Sequence, residues 1–187
     1  ARPIKLISGS SPFCETFFDD VKVPKENLVG ELNQGWTVAK YLLTHEREMI
    51  GAMGTSSTQQ PLHEAAVESV GLENGRLADD SLRTDVARWS TNMAAFEITM
   101  KLVLDEAKAG QSMGAFSSFL KYYGTALNKS KYELLLALGG FDGLEWKGES
   151  KGKLARDYCR TKGNSIEGGT SEIQLNIVAK RILGLPS

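Results

Sequence analysis

Residues that commonly bind metal ions are scarce in this 187-residue sequence, which contains two cysteines and two histidines. Cys14 and Cys159 lie far apart in the chain and form neither a CxxC nor a CxxH pattern, so there is little basis for a zinc site. Because no pattern of paired cysteines is present, we expect a reducing, intracellular setting.

Net charge and long apolar runs are also lacking. The formal net charge is −1, which gives no bulk electrostatic attraction to nucleic acid or to an anionic membrane surface. No apolar run approaches the roughly 18 residues that a membrane-spanning helix needs. Hydrophobic residues make up 41% and charged residues 24% of the chain, which is the balance of a globular domain with a smaller appendage.

The first part of the chain has the pattern of β structure. It begins with alanine rather than methionine, and residues 4–7 read like the middle of a β domain, so we expect a fragment of a longer protein. Residues 13–18 are aromatic and β-prone, and two aspartates follow them as a turn signal. Residues 21–24 then alternate between apolar and polar side chains. Residues 1–31 are therefore predicted to form strands and turns.

Helical periodicity begins at Gly35 and continues through most of the chain. Apolar residues at intervals of three and four predict five helices, at about 36–54, 60–70, 81–109, 116–138 and 171–183. Residues 71–80 and 147–153 are predicted to be polar loops, with Asp80 or Ser81 as a helix cap after the first loop. Long helices joined by short loops favour an all-α fold, an antiparallel helical bundle preceded by the last strands of a β domain.

The same periodicity predicts where individual side chains lie. Glu46 falls in the middle of the apolar stripe of the first helix, which is formed by Val38, Leu42 and Ile50. The aromatic residues expected in the core are Trp89, Phe96, Phe116 and Tyr123. The exposed positions of the fourth helix are expected to carry Lys121, Asn128 and Lys129.

The last helix has clear signals at both ends. Thr170 is predicted to cap its N-terminus, and Glu172 lies in the first turn, where the helix dipole favours a negative charge. Lys180 and Arg181 lie in the last turn, and Gly184 follows the helix.

Three segments of the sequence carry a more specific pattern. The first begins with Glu-Thr-Phe-Phe-Asp-Asp-Val-Lys-Val-Pro at residue 15 and ends with Asn-Gln-Gly-Trp at residue 36. The second is Leu-Gly-Gly-Phe-Asp-Gly at 138–143. The third, Gly-Asn-Ser-Ile-Glu-Gly-Gly-Thr-Ser-Glu-Ile-Gln at 163–174, continues to Lys-Arg-Ile-Leu-Gly-Leu-Pro at 180–186. These segments resemble the C-terminal part of the acyl-CoA dehydrogenase family. The resemblance implies that residues 1–32 end the middle β domain and that residues 33–187 form the C-terminal helical bundle domain.

The resemblance also implies a reaction. In this family a carboxylate removes the α-proton of an acyl-CoA thioester while the β-hydrogen leaves as hydride to FAD. The implied partners are an acyl-CoA substrate, an electron-transferring flavoprotein as acceptor, and further subunits in a homodimer or tetramer or in a hetero-oligomer. The implied location is the bacterial cytoplasm, or the mitochondrial matrix in a eukaryote. Since most of the β domain is absent, this chain alone is expected to be inactive.

The position of the catalytic base is unusual in this sequence. Many family members have a glutamate directly before the Gly-Thr of the third segment, where this chain has Gly168. A minority place it on the first helix of the C-terminal domain, just before an arginine, and Thr-His-Glu-Arg at 44–47 resembles that arrangement. Glu46 is therefore the implied base. The alternatives are that Glu46 is a half-buried residue in a structural ion pair, or that Glu167 is the base.

Further site residues are implied by the same resemblance. Arg47 and Gly169 would contact the substrate. The residues that would contact FAD are Gly139, Gly140, Thr170, Ser171 and Glu172. Ordinary structural explanations also exist, because Arg47 could form a surface ion pair, Gly139-Gly140 could end a helix, and Thr170 could cap one without a ligand. No metal ligand is expected.

Two other functions remain compatible with the sequence. The chain could belong to a scaffold subunit that lacks base or flavin site and pairs with an unlike catalytic subunit, which Gly168 favours and Glu46 disfavours. It could also belong to a related flavin-dependent acyl-CoA oxidase, which passes electrons to oxygen. The sequence does not separate the dehydrogenase from the oxidase.

Overall fold

The chain folds mainly into α-helices. A computed structural model describes residues 1–53, 60–110, 114–147 and 151–186. In order, its helices are α1 (Gly35–Met53), α2 (Leu62–Val70), α3 (Asp80–Lys108), α4 (Phe116–Gly143), α5 (Lys151–Thr161) and α6 (Ser171–Arg181). Its short strands are β1 (Arg2–Ile4), β2 (Phe13–Glu15), β3 (Leu72–Glu73) and β4 (Arg76–Leu77), and 3-10 turns lie at Lys25–Asn27 and Lys162–Ser165. The predicted all-α class is confirmed.

Helix α4 is the central element of the bundle. The helices α1, α2, α3, α5 and α6 all pack against it. Two groups of buried side chains lie along its length, one shared with α3 and the other shared with α2 and α3. Because α4 touches every other described helix, it sets the positions of the loops that join them.

The core between α3 and α4 is aromatic. Phe96 is 2% exposed, and its ring centroid lies 6.0 Å from that of Tyr123. Tyr123 stacks in turn on Phe119, with 5.8 Å between the centroids. Trp89 is half-buried and donates its indole N–H to the carbonyl of Leu127 at 2.9 Å. The prediction that the aromatic residues of these helices belong to the core is therefore confirmed.

The predicted polar loop at 71–80 contains a small hairpin. Strands β3 and β4 pair antiparallel, with Leu72 opposite Leu77. Asn74 and Gly75 form the turn with φ values of 51° and 74°, the backbone that an Asn-Gly hairpin turn requires. The cap of α3 is Asp79, whose carboxylate accepts from the N–H of Leu82 at 2.8 Å, and the predicted caps one and two residues later were wrong.

Helix α5 is the largest departure from the expected secondary structure. Residues 151–153 were predicted to belong to a solvated loop, but they form the first turn of this helix. The sequence of α5 is mostly polar, and its helix is held by packing against α4, with Ala155 buried. Gly152 makes this start possible, because a Cβ there would lie 2.4 Å from the carbonyl oxygen of Trp146.

The end of α4 and the start of the chain also differ from expectation in detail. Gly140 breaks the helix with φ 52° and ψ −136°, and one further turn follows as far as Gly143. Strands β1 and β2 form an antiparallel pair with Pro3 opposite Cys14. Residues 21–24 form no strand. The division of the chain into two domains at residue 33 stays a prediction.

Removing the buried Phe96 side chain tests the core. We expect Phe96→Ala to lower the free energy of unfolding by about 3–5 kcal/mol, because it loses apolar transfer energy and leaves a cavity. Ile98→Ala is the matched control, since Ile98 lies on the same helix and is 63% exposed, and it should change stability by less than about 0.5 kcal/mol. Urea denaturation followed by circular dichroism measures both, and equal losses would contradict this core.

Candidate functional site

A buried lysine links α4 to the segment before α6. Lys121 is 0% exposed, and its ammonium donates to the carbonyls of Asn164 at 3.0 Å and Gly169 at 2.7 Å. The prediction that Lys121 is exposed was therefore wrong. The physical reason is that the returning chain brings two carbonyls to this position, and these hydrogen bonds replace water around the ammonium.

Two other α4 residues that were expected to be exposed also contact this segment. Asn128 donates to the side-chain oxygen of Asn164 at 2.9 Å, and Lys129 donates to the hydroxyl of Ser165 at 3.2 Å. Both side chains are half-buried. The prediction of exposure was wrong for them too, since Asn128 and Lys129 contact the side chains of Asn164 and Ser165.

Glu167 is held in an ion pair inside the same segment. Arg160 donates two hydrogen bonds to its carboxylate, at 2.9 and 3.2 Å, and Asn164 donates a third at 2.6 Å. Burial works against the charged form, but the hydrogen bonds from Arg160 and Asn164 and the charges of Arg160 and Lys121 outweigh it and lower the pKa of Glu167. A carboxylate fixed in this way is a weak proton acceptor.

The turn that follows, residues 168–170, is shaped by two glycines and is called the glycine turn below. Gly168 and Gly169 have φ values of 64° and 93°, which are strained for other residues. Gln174 is 1% exposed and donates its amide to the carbonyls of Gly168 at 3.0 Å and Gly169 at 3.4 Å. A Cβ on Gly169 would overlap that amide nitrogen, so another residue here would have to displace the side chain of Gln174.

The glycine turn leads directly into the N-terminus of α6. The hydroxyl of Thr170 accepts from the N–H of Ile173 at 3.3 Å, which confirms Thr170 as the predicted cap. The N–H of Glu172 itself and the hydroxyl of Thr170 lower the pKa of the exposed Glu172 carboxylate. The structure thus brings four of the predicted site residues together in one stretch, Gly169, Thr170, Ser171 and Glu172.

The glycine pair of α4 lies elsewhere in the bundle. Gly139 and Gly140 follow Lys121 by 18 and 19 residues along α4, which corresponds to about 27 Å of helix. A Cβ on Gly139 would meet Leu154 of α5 at 3.4 Å, and one on Gly140 would meet no atom of the described residues within 4 Å beyond the adjacent backbone. Within one chain these two glycines are therefore far from the glycine turn.

Glu46 lies on α1, which packs against α4. Its side chain is half-buried, whereas Leu42, one turn earlier, is 66% exposed. The described part of the chain therefore leaves this section of the apolar stripe uncovered. The side chains of Arg47 and Ile50 lie outside the described residues.

Metal-binding and membrane-spanning features were searched for in the described residues. No group of three His, Cys, Asp or Glu side chains among them could hold a metal ion. None of the helices there is long and apolar enough to cross a membrane. Cys14 is exposed, Cys159 is half-buried, and both are free thiols.

Known proteins share both the sequence pattern and the fold. Residues 33–183 match the acyl-CoA dehydrogenase C-terminal domain family. Acyl-CoA dehydrogenase FadE34 of Mycobacterium tuberculosis is 32% identical over 99% of this chain and 24% of its own length. Acyl-CoA dehydrogenase IpdE1 of the same organism is 33% identical over 99% of this chain and 47% of its own length. The chain belongs to the acyl-CoA dehydrogenase family. It spans about a quarter to about half of the length of these relatives.

Solved structures support the same fold. The Tcur3481-Tcur3483 steroid ACAD superposes with a TM-score of 0.83 at 24% identity, over 98% of this chain and 48% of that one. Acyl-CoA dehydrogenase from Geobacillus kaustophilus gives a TM-score of 0.81 at 22% identity, over 97% of this chain and 48% of that one. At these identities the structures establish the fold.

The sequence contained a signal for the buried polar face of α4 that was overlooked. Small or polar residues recur there at helical spacing, at Ser117, Lys121, Gly124 and Asn128. The first three are buried. A lysine inside such a stripe predicts a hydrogen-bonded partner rather than solvent. Arg160 and Gln174 carried no comparable signal, because their partners depend on the course of the chain after α5.

The ion pair of Glu167 makes a pH-dependent contribution to stability. Since the folded pKa of Glu167 is lowered, the contribution is fully present above the unfolded value of about 4.3 and is lost as the pH falls through the folded pKa. We expect Glu167→Gln to lower the free energy of unfolding by about 1–2 kcal/mol at pH 7. This is the contribution of a hydrogen-bonded ion pair, reduced because the pair is partly exposed to solvent. The difference from wild type should shrink below about pH 4.

Glu133→Gln is the control for this measurement. Glu133 pairs with Lys162 at 2.7 Å on the surface, and exposed ion pairs contribute little, so we expect a loss of less than about 1 kcal/mol. Urea denaturation at a series of pH values measures both variants. A loss for Glu167→Gln that does not depend on pH would argue against the ion pair.

Proposed function

We propose that this chain supplies the C-terminal part of an FAD-dependent acyl-CoA dehydrogenase, which introduces a double bond between the α and β carbons of an acyl-CoA thioester. The main support for the proposal is the glycine turn at the start of α6, in a chain of this family. Its carbonyls accept hydrogen bonds from the buried side chains of Lys121 and Gln174. The relatives cited above are named acyl-CoA dehydrogenases.

The residues around the glycine turn suit a flavin nucleotide. A helix N-terminus offers backbone N–H groups and a favourable dipole to phosphate or carbonyl oxygens. The hydroxyls of Thr170 and Ser171 add polar groups, and the backbone of Gly169 is exposed. Bound FAD would accept the hydride. Glu172 would lie at the edge of this site, and Gly169 would also face the acyl-CoA.

Gly139 and Gly140 would contact the flavin of a neighbouring subunit. Their distance of about 27 Å along α4 from Lys121 is too great for the flavin site of their own chain. Apart from the adjacent backbone, no atom of the described residues lies within 4 Å of a Cβ on Gly140, which leaves space for a partner. This part of the proposal therefore requires an oligomer, a homodimer, a tetramer or a hetero-oligomer.

Glu46 is the proposed general base. Gly168 carries no side chain at the position that is usual in the family, and Glu167 is neutralised by Arg160. Glu46 is half-buried on α1, and the uncovered apolar surface around Leu42 can be closed by the β domain or by a neighbouring subunit. Exclusion of water makes a carboxylate a stronger base, as removal of a proton next to a carbonyl requires. Arg47 would organise the base and the thioester.

A second candidate function is a scaffold subunit in a hetero-oligomeric dehydrogenase. Two similar structures are named for paired components, the Tcur3481-Tcur3483 steroid ACAD and the ChsE4-ChsE5 complex of Mycobacterium tuberculosis. Gly168 at the usual base position favours this alternative. In the dehydrogenase proposal, an electron-transferring flavoprotein receives the electrons.

Anaerobic bleaching of the flavin tests the base. In the complete native protein with FAD bound, an acyl-CoA should bleach the wild type, and Glu46→Gln should slow bleaching by about 10²–10⁴-fold, the contribution of a general base. Glu167→Gln is the matched control and should bleach within a few-fold of wild type. Equal bleaching by wild type and Glu46→Gln would remove Glu46 from the mechanism, and a wild type that no acyl-CoA bleaches would favour the scaffold function.

A further inference from the structure

We propose that Lys121 and Gln174 are positioning residues for the reaction, because together they fix the direction of two backbone N–H groups in the glycine turn. This inference rests on the proposed function. The pair is called the carbonyl clamp below. Its members come from different helices, α4 and α6, and both are almost completely buried.

The carbonyl clamp binds two successive carbonyls of the turn. The ammonium of Lys121 lies 2.7 Å from the oxygen of Gly169, and the amide of Gln174 lies 3.0 Å from that of Gly168 and 3.4 Å from that of Gly169. Both donors lie beneath the turn, in the interior between α4 and α6. The two carbonyls therefore point inward.

The direction of the N–H groups follows from the planarity of the peptide bond. The described residues contain no cis peptide, and in a trans peptide the C=O and the following N–H point in opposite directions. Inward carbonyls on Gly168 and Gly169 therefore turn the N–H groups of Gly169 and Thr170 away from the interior. Neither N–H has an acceptor among the described residues. These two donors face the surface at the positive end of α6.

Burying the polar groups of the clamp costs free energy, which indicates that the clamp has a role beyond packing. Burial lowers the pKa of Lys121, although the charges of Glu167 and Glu172 oppose this effect. A buried ammonium is expensive, and apolar residues of similar volume are often equally stable or better. Within the described part of the chain the side-chain oxygen of Gln174 is buried without a partner, which adds a second cost.

The glycines explain why such a clamp is needed. Gly168 and Gly169 have the widest choice of backbone conformations, so the turn would have several arrangements without external restraint. Donors that are already oriented need no reorganisation as charge develops on a reacting oxygen. Loss of the clamp should therefore slow the reaction more than it weakens binding, because most contacts to a large ligand lie away from the turn.

Methionine variants of the complete native protein with FAD bound test the clamp. Lys121→Met and Gln174→Met leave side chains of similar length and remove their donors. We expect each to lower the saturating rate of flavin bleaching by about 10–100-fold, the cost of a small misplacement, with little change in the half-saturating acyl-CoA concentration. The double variant should be little slower than the slower single variant, because both residues act on one turn.

Hydrogen–deuterium exchange of peptides that cover residues 168–172 gives a readout that does not depend on activity. Both single variants should exchange faster there and at the wild-type rate in the core of α3. Lys129→Met is the matched control, because Lys129 lies on the same helix and contacts the side chain of Ser165 but no carbonyl of the turn. It should change neither the rate nor the exchange of the turn.

The outcomes separate this inference from the proposed function. Faster exchange of the turn with an unchanged bleaching rate would overturn the positioning role, and so would unchanged exchange in both variants. A wild type that no acyl-CoA bleaches would overturn the proposed function instead. In that case the exchange data would still decide whether Lys121 and Gln174 hold the turn.

Discussion

The structure of the candidate site depends on one buried ammonium group. Lys121 lies inside the bundle with no carboxylate bonded to it among the described residues, and its charge is balanced by two carbonyl dipoles and by the more distant Glu167 and Glu172. These hydrogen bonds connect α4 to a segment more than 40 residues later in the chain. The shape of the turn before α6 therefore depends on its hydrogen bonds to α4.

The same helix relates the candidate site to the rest of the bundle. The helix of Glu46 and the helix that Thr170 caps both pack on α4, as does α5, which carries Arg160. Arg160 in turn neutralises Glu167, the one carboxylate next to the glycine turn on its N-terminal side. Polar contacts thus fix the backbone around the site, and the role of Glu46 in proton transfer stays a proposal.

The sequence predicted five helices because each has an apolar face with the helical period. It did not predict α5, whose residues are mostly polar and whose helix depends on packing against α4. The small and polar residues at helical spacing around Lys121 were a local signal for its burial, but its acceptors could not be deduced from local pattern, since they come from a distant turn. Thr170 was predicted correctly because a cap is a local feature. The roles of the site residues stay predictions.

The long uninterrupted part of α4 has an evolutionary consequence. Each residue turns the helix by about 100° and advances it by about 1.5 Å, so inserting or deleting one residue between Lys121 and Gly139 would rotate one end against the other. The lysine under the glycine turn and the glycine break at Gly140 would then face different directions. Surface residues of α4 can drift in sequence, but the number of residues between these two points cannot change without altering their relative orientation.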